Sequence, residues 1–245
     1  MSKVRFLFIF LLMLNACTQP VKQEVQALYP EKKLLDGIWE GSFDIRGRGP
    51  YDFQVIHVGD RSTAVSHKAK AMCVGKVTLD KDEFYLARYN LYALDGSPFD
   101  YATITGVLEG GTIDAHFRTL NGGDTGAIKI SYSKLYEQPS SLDLVQGDWK
   151  FVDRDGLKFE ISIEDNVIRG TDSDSCKYLG QVNIINPKYN AYNIELNISN
   201  CDSVNGKYEG LSYLDNLQDT YLRIDVGNEH YGFHYDFQRP QSADA

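Results

Sequence analysis

Downstream of Trp149 the chain alternates apolar and polar residues in short runs. Leu157, Phe159, Ile161 and Ile163 fall on one face of an extended segment, and Tyr192, Ile194, Leu196 and Ile198 on one face of another. A period of two sends successive side chains to opposite sides of a strand, so each run predicts a strand with one buried face. Eight runs are legible: Trp149 to Val152, Leu157 to Ile163, Val167 to Gly170, Tyr178 to Ile185, Ala191 to Ser199, Tyr208 to Tyr213, Tyr221 to Val226 and Tyr231 to Phe237. Turn pairs separate them, among them Asp155-Gly156, Asp165-Asn166, Asn186-Pro187, Asn205-Gly206 and Gly227-Asn228. No window after Leu35 carries a helical period. Eight consecutive short strands predict an antiparallel up-and-down meander, which removes its exposed edges by closing into a barrel.

The same organisation occurs twice. Leu35-Asp36-Gly37-Ile38-Trp39 recurs as Val145-Gln146-Gly147-Asp148-Trp149, 110 residues later, and these are the only two tryptophans. Gly75-Lys76-Val77-Thr78-Leu79 recurs as Gly180-Gln181-Val182-Asn183-Ile184, and Thr105-Gly106-Val107-Leu108 as Glu209-Gly210-Leu211-Ser212, at offsets of 105 and 104. Loop insertions and deletions account for the drift. A period of this length is a duplicated domain and not a solenoid. Gln138-Pro139-Ser140-Ser141 reads as the linker, and a chain cut at Pro139 is expected to give two halves that fold alone.

Upstream of the repeat stands a different kind of segment. Lys3 and Arg5 precede the apolar run Phe6 to Leu14, which spans about 14 Å as a helix and is too short to cross a bilayer. It ends Leu14-Asn15-Ala16-Cys17, which resembles the lipobox of bacterial lipoproteins. In that family the thiol receives a diacylglycerol, the preceding peptide is removed and the new amino terminus is acylated. The resemblance thus implies a signal peptide at 1–16, lipid attachment at Cys17 and a membrane partner held through acyl chains (palmitate among them). Thr18 stands where the family's inner-membrane proteins carry Asp, which implies the outer membrane, facing the periplasm or exposed at the surface. Residues 17–34 then form a lipidated, flexible polar tether reaching at most about 60 Å. Domain 1 occupies 35–137 and domain 2 occupies 142–240. The Gly-x-Trp on the first strand of each meander is similar to that of lipocalins and avidin-like barrels, in which the Trp plugs one end. The later motifs of those families are missing, so no ligand site is carried over.

The cysteines refine the second copy. Besides Cys17 there are Cys73, Cys176 and Cys201. In an oxidising envelope a pair is expected to bond. A hairpin centred near Lys188 and Tyr189 pairs residues whose numbers sum to about 377, which places Cys176 opposite Cys201, Val182 opposite Glu195 and Gly180 opposite Asn197. Cys73 has Gly96 where its counterpart would be. It can be a buried thiol, a reactive one or a link to another chain, and Met72 and Val74 beside it favour burial.

Charge changes the picture more than composition does. The full chain has 25 basic and 34 acidic side chains, and loss of residues 1–16 takes the net charge from −9 to −11. That excludes the basic footprint needed for nucleic acid. The copies differ: residues 37–136 hold 11 basic and 12 acidic side chains, residues 142–240 hold 9 and 17. The second copy is either simply a well-solvated domain or an acidic docking face for a basic partner. Catalytic signals are absent: there is no nucleophile elbow, phosphate loop or acid–base dyad. His230 and His234 lie about 13 Å apart along a strand pattern, too far to share an ion. His57, His67 and His116 stand alone. Asp153-Arg154-Asp155-Gly156 opens like a calcium loop but lacks the bidentate acid, and Asp172 with Asp174 reads as a solvated loop. The expectation is two tandem all-β barrels with no enzyme activity, cofactor or metal, acting by protein binding as an inhibitor, immunity factor or envelope scaffold. Binding of a small apolar ligand in a lipocalin-like lumen is the alternative, and an enzyme without a recognisable motif comes third.

Overall fold

The computed structural model describes residues 32–216 and 220–240, so Cys17 and its signal lie outside the described residues. Two closed antiparallel barrels of eight strands follow one another. The first contains β1 (Gly37–Ile45), β2 (Arg48–Val58), β3 (Arg61–Ser66), β4 (Ala71–Lys76), β6 (Glu83–Ala93), β7 (Pro98–Glu109), β8 (Thr112–Thr119) and β9 (Thr125–Ser133). It closes through the β4–β6 and β1–β9 pairings, and the short β5 (Thr78–Asp80) adds to β6 outside the ring. The second contains β10 (Gly147–Val152), β11 (Lys158–Glu164), β12 (Val167–Asp172), β13 (Lys177–Ile184), β14 (Tyr192–Ser199), β15 (Gly206–Asp215), β16 (Tyr221–Gly227) and β17 (Gly232–Gln238). All eight runs read from the alternation in this copy are strands. Phe159, Ile161, Ile163, Tyr192, Ile194, Leu196 and Ile198 all point into the core, as their spacing requires.

The duplication extends to atoms. Trp39 and Trp149 are both buried, and each indole Nε1 donates to the carbonyl four residues earlier, Leu35 O at 3.1 Å and Val145 O at 2.8 Å. Each indole thereby closes its barrel against the segment that leads into it. The repeated glycines occupy equivalent strands. Gly75 and Gly180 lie on the fourth strand of each ring, and Gly106 and Gly210 on the sixth.

The barrels are packed against each other along one seam. Ile38, Ile56 and Val58 of barrel 1 meet Ala191, Leu211 and Tyr213 of barrel 2, with Leu135 and Tyr136 of the connecting 3-10 turn between them. Asn190 fastens that turn. Its side chain donates to Leu135 O and Leu214 O and accepts from Leu214 N–H, so a buried amide is fully used. Further along, Tyr92 donates to Asn228 O, and Gly232 N–H donates to Gly96 O at 3.2 Å. Gly96 has φ +92, and a Cβ there would stand 2.2 Å from the Phe233 ring, so both the turn and the seam require glycine. The chain enters beside the seam: Lys32 Nζ lies 4.5 Å from the centre of the Tyr132 ring and 2.9 Å from Glu137 Oε1. The end of the tether segment is therefore docked at residue 32.

Cys176 and Cys201 stand at bonding distance, Cα–Cα 4.8 Å, and Cys73 is free and buried. Burial pushes the Cys73 thiol up to about 12, with Asp225 adding to the effect. The hairpin register differs from expectation by one residue. Val182 faces Ile194 and Gly180 faces Leu196, so partners sum to 376 and not 377. The difference is absorbed beyond the ladder, where Asn200 adopts φ +61 and advances Cys201 by one position. Non-reducing peptide mapping should join Cys176 to Cys201 and leave Cys73 unpaired. Replacing both bonded cysteines by serine should cost barrel 2 roughly 2–4 kcal/mol, read as a lower denaturant midpoint.

His57 on β2 makes acid stability measurable. It is buried, and burial pushes its imidazole down to about 4 despite the opposing pull of Asp36. The unfolded chain takes up a proton below about 6.5 and the native state does not. Stability should therefore be intact above pH 6.5 and fall by about 2–3 kcal/mol as the pH drops toward 4. In His57→Gln that part of the acid limb should disappear from denaturant melts.

Candidate functional site

Deep inside each barrel little space is left among the described residues. The void in barrel 1, walled by side chains such as Trp39, Phe53 and Tyr89, measures about 50 Å³, and that deep in barrel 2 about 10 Å³. Aromatic rings fill the second: Phe159, Tyr178, Tyr235 and Phe237 stack edge to face or tilted at centroid distances of 5.3–6.5 Å.

Above these rings, at the mouth of barrel 2, a cavity of about 360 Å³ opens against barrel 1. Phe151, Phe159, Tyr178, Phe233 and Tyr235 supply its floor, and His67, Leu94 and Asp95 of barrel 1 form one wall. Six carboxylates border it (Asp95, Asp153, Asp155, Asp172, Asp174 and Asp236) against Arg154 and two histidines. Some of these acids shape the rim. Asp153 accepts from Asp155 N–H at 2.9 Å and Leu157 N–H at 2.8 Å, which makes Asp153-Arg154-Asp155-Gly156 a self-bonded hairpin turn. Asp172 is a correction to the solvated loop expected from sequence. It is buried and accepts from Asp174 N–H, Cys176 N–H and Tyr178 O–H, at 3.0, 3.0 and 2.7 Å. Asp155 and Asp174 are exposed and face the opening.

The inner wall is a polar network crossing the seam. His234 on β17 lies 2.6 Å from Asp225 Oδ1 through Nδ1 and 3.1 Å from Asp236 Oδ2 through Nε2. Thr63 of barrel 1 donates to Asp225 Oδ2 at 2.9 Å. Arg223 holds Asp215 at 2.9 Å and Asp236 Oδ1 at 3.3 Å, and donates to Gln54 Oε1 of barrel 1 at 2.7 Å. Burial opposes the charged form of His234, but Asp225 and Asp236 outweigh it and raise the imidazole to about 9. Burial likewise opposes charge on Asp236, and His234 with Arg223 overcomes it, holding the carboxyl at about 2. His67 is lowered, by burial and then by the charge of His234.

One sequence reading changes here. His67 does not stand alone: its ring centre lies 5.2 Å from that of His234, and its Nε2 lies 3.5 Å from Asp236 Oδ2. His230 sits in the turn before β17 and is not brought to His234. One nitrogen each of His67 and His234 and one oxygen of Asp236 lie within 4.8 Å of one another. No spacing in the chain could signal this, because 167 residues separate the histidines. No family model matches the chain, and no characterised protein or solved structure is significantly similar to it.

Proposed function

We propose that the protein is a lipid-anchored envelope protein that acts by binding, docking a basic segment of a protein partner in the mouth of barrel 2. The observation that carries this reading is the cavity of about 360 Å³, rimmed by carboxylates and floored by aromatic rings. Carboxylates attract a Lys or Arg side chain and desolvated ring faces hold it. The molecule uses the same chemistry internally at Lys32, which lies between Tyr132, Tyr136 and Glu137. An acidic rim also speeds encounter with a basic partner. Inhibitor, immunity factor and scaffold are all roles of this kind, and none needs a catalytic group. A small apolar ligand has less support, because the deep lumens are far below the roughly 300 Å³ of an ordinary ligand pocket and the mouth cavity, which reaches that size, is bordered by six carboxylates.

The lipid anchor rests on Leu14-Asn15-Ala16-Cys17. Cys17→Ala should leave the protein unprocessed or in the soluble fraction of lysed cells; a normally processed, membrane-bound mutant would contradict it. The binding reading is tested by a photo-crosslinking residue at Val152, which is 56% exposed beside the mouth, with Leu120 on barrel 1 as control. In living envelopes a single adduct is expected from position 152 and none from 120. Equal adducts, or none at 152, would remove the mouth as the docking site.

A further inference from the structure

We propose that His67, His234 and Asp236 form a site for one divalent transition-metal ion of the zinc type, built across the seam between the barrels and open to the cavity. The donor set is two imidazole nitrogens and one carboxylate oxygen, a combination suited to zinc and its neighbours in the first transition row. The spacing fits as well. Two ligands about 2.0–2.1 Å from a tetrahedral ion stand roughly 3.3 Å apart. Asp236 Oδ2 lies 3.1 Å from His234 Nε2 and 3.5 Å from His67 Nε2. His234 Nε2 is buried, and although it lies beside Asp236 Oδ2 it forms no aligned hydrogen bond with it or with any other described atom. An ion between the two atoms gives that nitrogen a partner.

The support around these three groups is the kind metal ligands require. A ligating histidine ordinarily gives its second nitrogen to a carboxylate, which fixes its tautomer and orientation. His234 Nδ1 has Asp225 Oδ1 at 2.6 Å, and Asp225 is itself held by Thr63 of the other barrel. Asp236 turns its second oxygen to Arg223, leaving Oδ2 for the histidines. The turn carrying His67 is pinned by Asp52, which accepts from the His67 and Lys68 N–H groups at 3.0 and 2.8 Å. Three protein ligands leave a fourth position, and the cavity supplies the approach to it. Among the described residues the other comparable cluster, Asp172 with Cys176 and Cys201, cannot serve, because its sulfurs are joined to each other.

The test uses the full-length untagged protein after chelator treatment, with Co²⁺ as the spectroscopic probe. One equivalent should bind with the visible absorption of four- or five-coordinate cobalt, and Zn²⁺ should displace it. His67→Gln should weaken Co²⁺ binding at least tenfold to a hundredfold. The His67 side chain is 46% exposed, so this variant keeps the fold, which circular dichroism checks. His230→Gln and His116→Gln, both exposed, should bind as wild type. As an independent readout, Zn²⁺ should shift the imidazole ¹⁵N resonances of His67 and His234 and not those of His57. Absence of the cobalt spectrum at millimolar metal, or a folded His67→Gln that binds as well as wild type, would overturn the site.

Discussion

Asp225→Ala is expected to destabilise the chelator-treated protein by about 3–5 kcal/mol, the cost of breaking a buried ion pair from one side. The substitution takes the carboxylate 2.6 Å away from His234 Nδ1 and leaves the Thr63 hydroxyl without its acceptor. His234 is buried, so it must either lose its proton or keep a charge with Asp236 alone. Adding His234→Leu to Asp225→Ala should restore much of the loss, because the pair is then replaced by apolar surface. Denaturant melts of the two single variants and the double variant give the coupling directly. The same network bears on the linker cut. Halves separated at Pro139 would expose Ile56, Leu211, Thr63 and Asp225, which the seam buries. The intact protein is therefore expected to unfold in one transition.

Trp149→Ala should cost a further about 3–5 kcal/mol, the range for removing a fully buried large aromatic side chain. Three contacts are lost together: the bond from Nε1 to Val145 O, the packing that closes the barrel, and the face over which Arg239 lies at 4.3 Å. Trp39→Ala should cost barrel 1 a comparable amount, because Trp39 repeats the i−4 bond and packs edge-on against Tyr132 at 5.3 Å. Equal costs would show that the two copies keep the same device. A near-neutral Trp39→Ala would mean that only the second copy depends on its plug.

The barrels were legible because their physics is local. Alternation at Leu157 to Ile163 and Tyr192 to Ile198, with turn pairs between the runs, specifies strands without reference to anything distant. The two Trp segments marked the repeat for the same reason. The disulfide was legible in its partners but not in its register, since an αL residue such as Asn200 displaces a ladder end without altering the alternation before it. The site was hardly legible at all. His67 and His234 meet only because two closed barrels lie side by side, and nothing in the local pattern around either residue encodes which faces touch. Asp172 misled for a related reason. An acid between turn residues reads as solvated unless its three donors, which lie within six residues of it, are already folded around it. The acidic surplus of residues 142–240 was the one usable signal, and it pointed to the barrel that carries the mouth.

The measurement closest to the central claim is the association rate of the cross-linked partner with wild type and with Asp153→Asn/Asp155→Asn/Asp174→Asn, followed as a function of salt. Asparagine keeps the acceptor that Asp153 gives to its turn, so the variant alters charge and preserves the rim. If the mouth docks a basic segment, the variant should associate about tenfold or more slowly at low salt and lose most of its salt dependence. Equal rates and equal salt dependence for the two proteins would contradict the account.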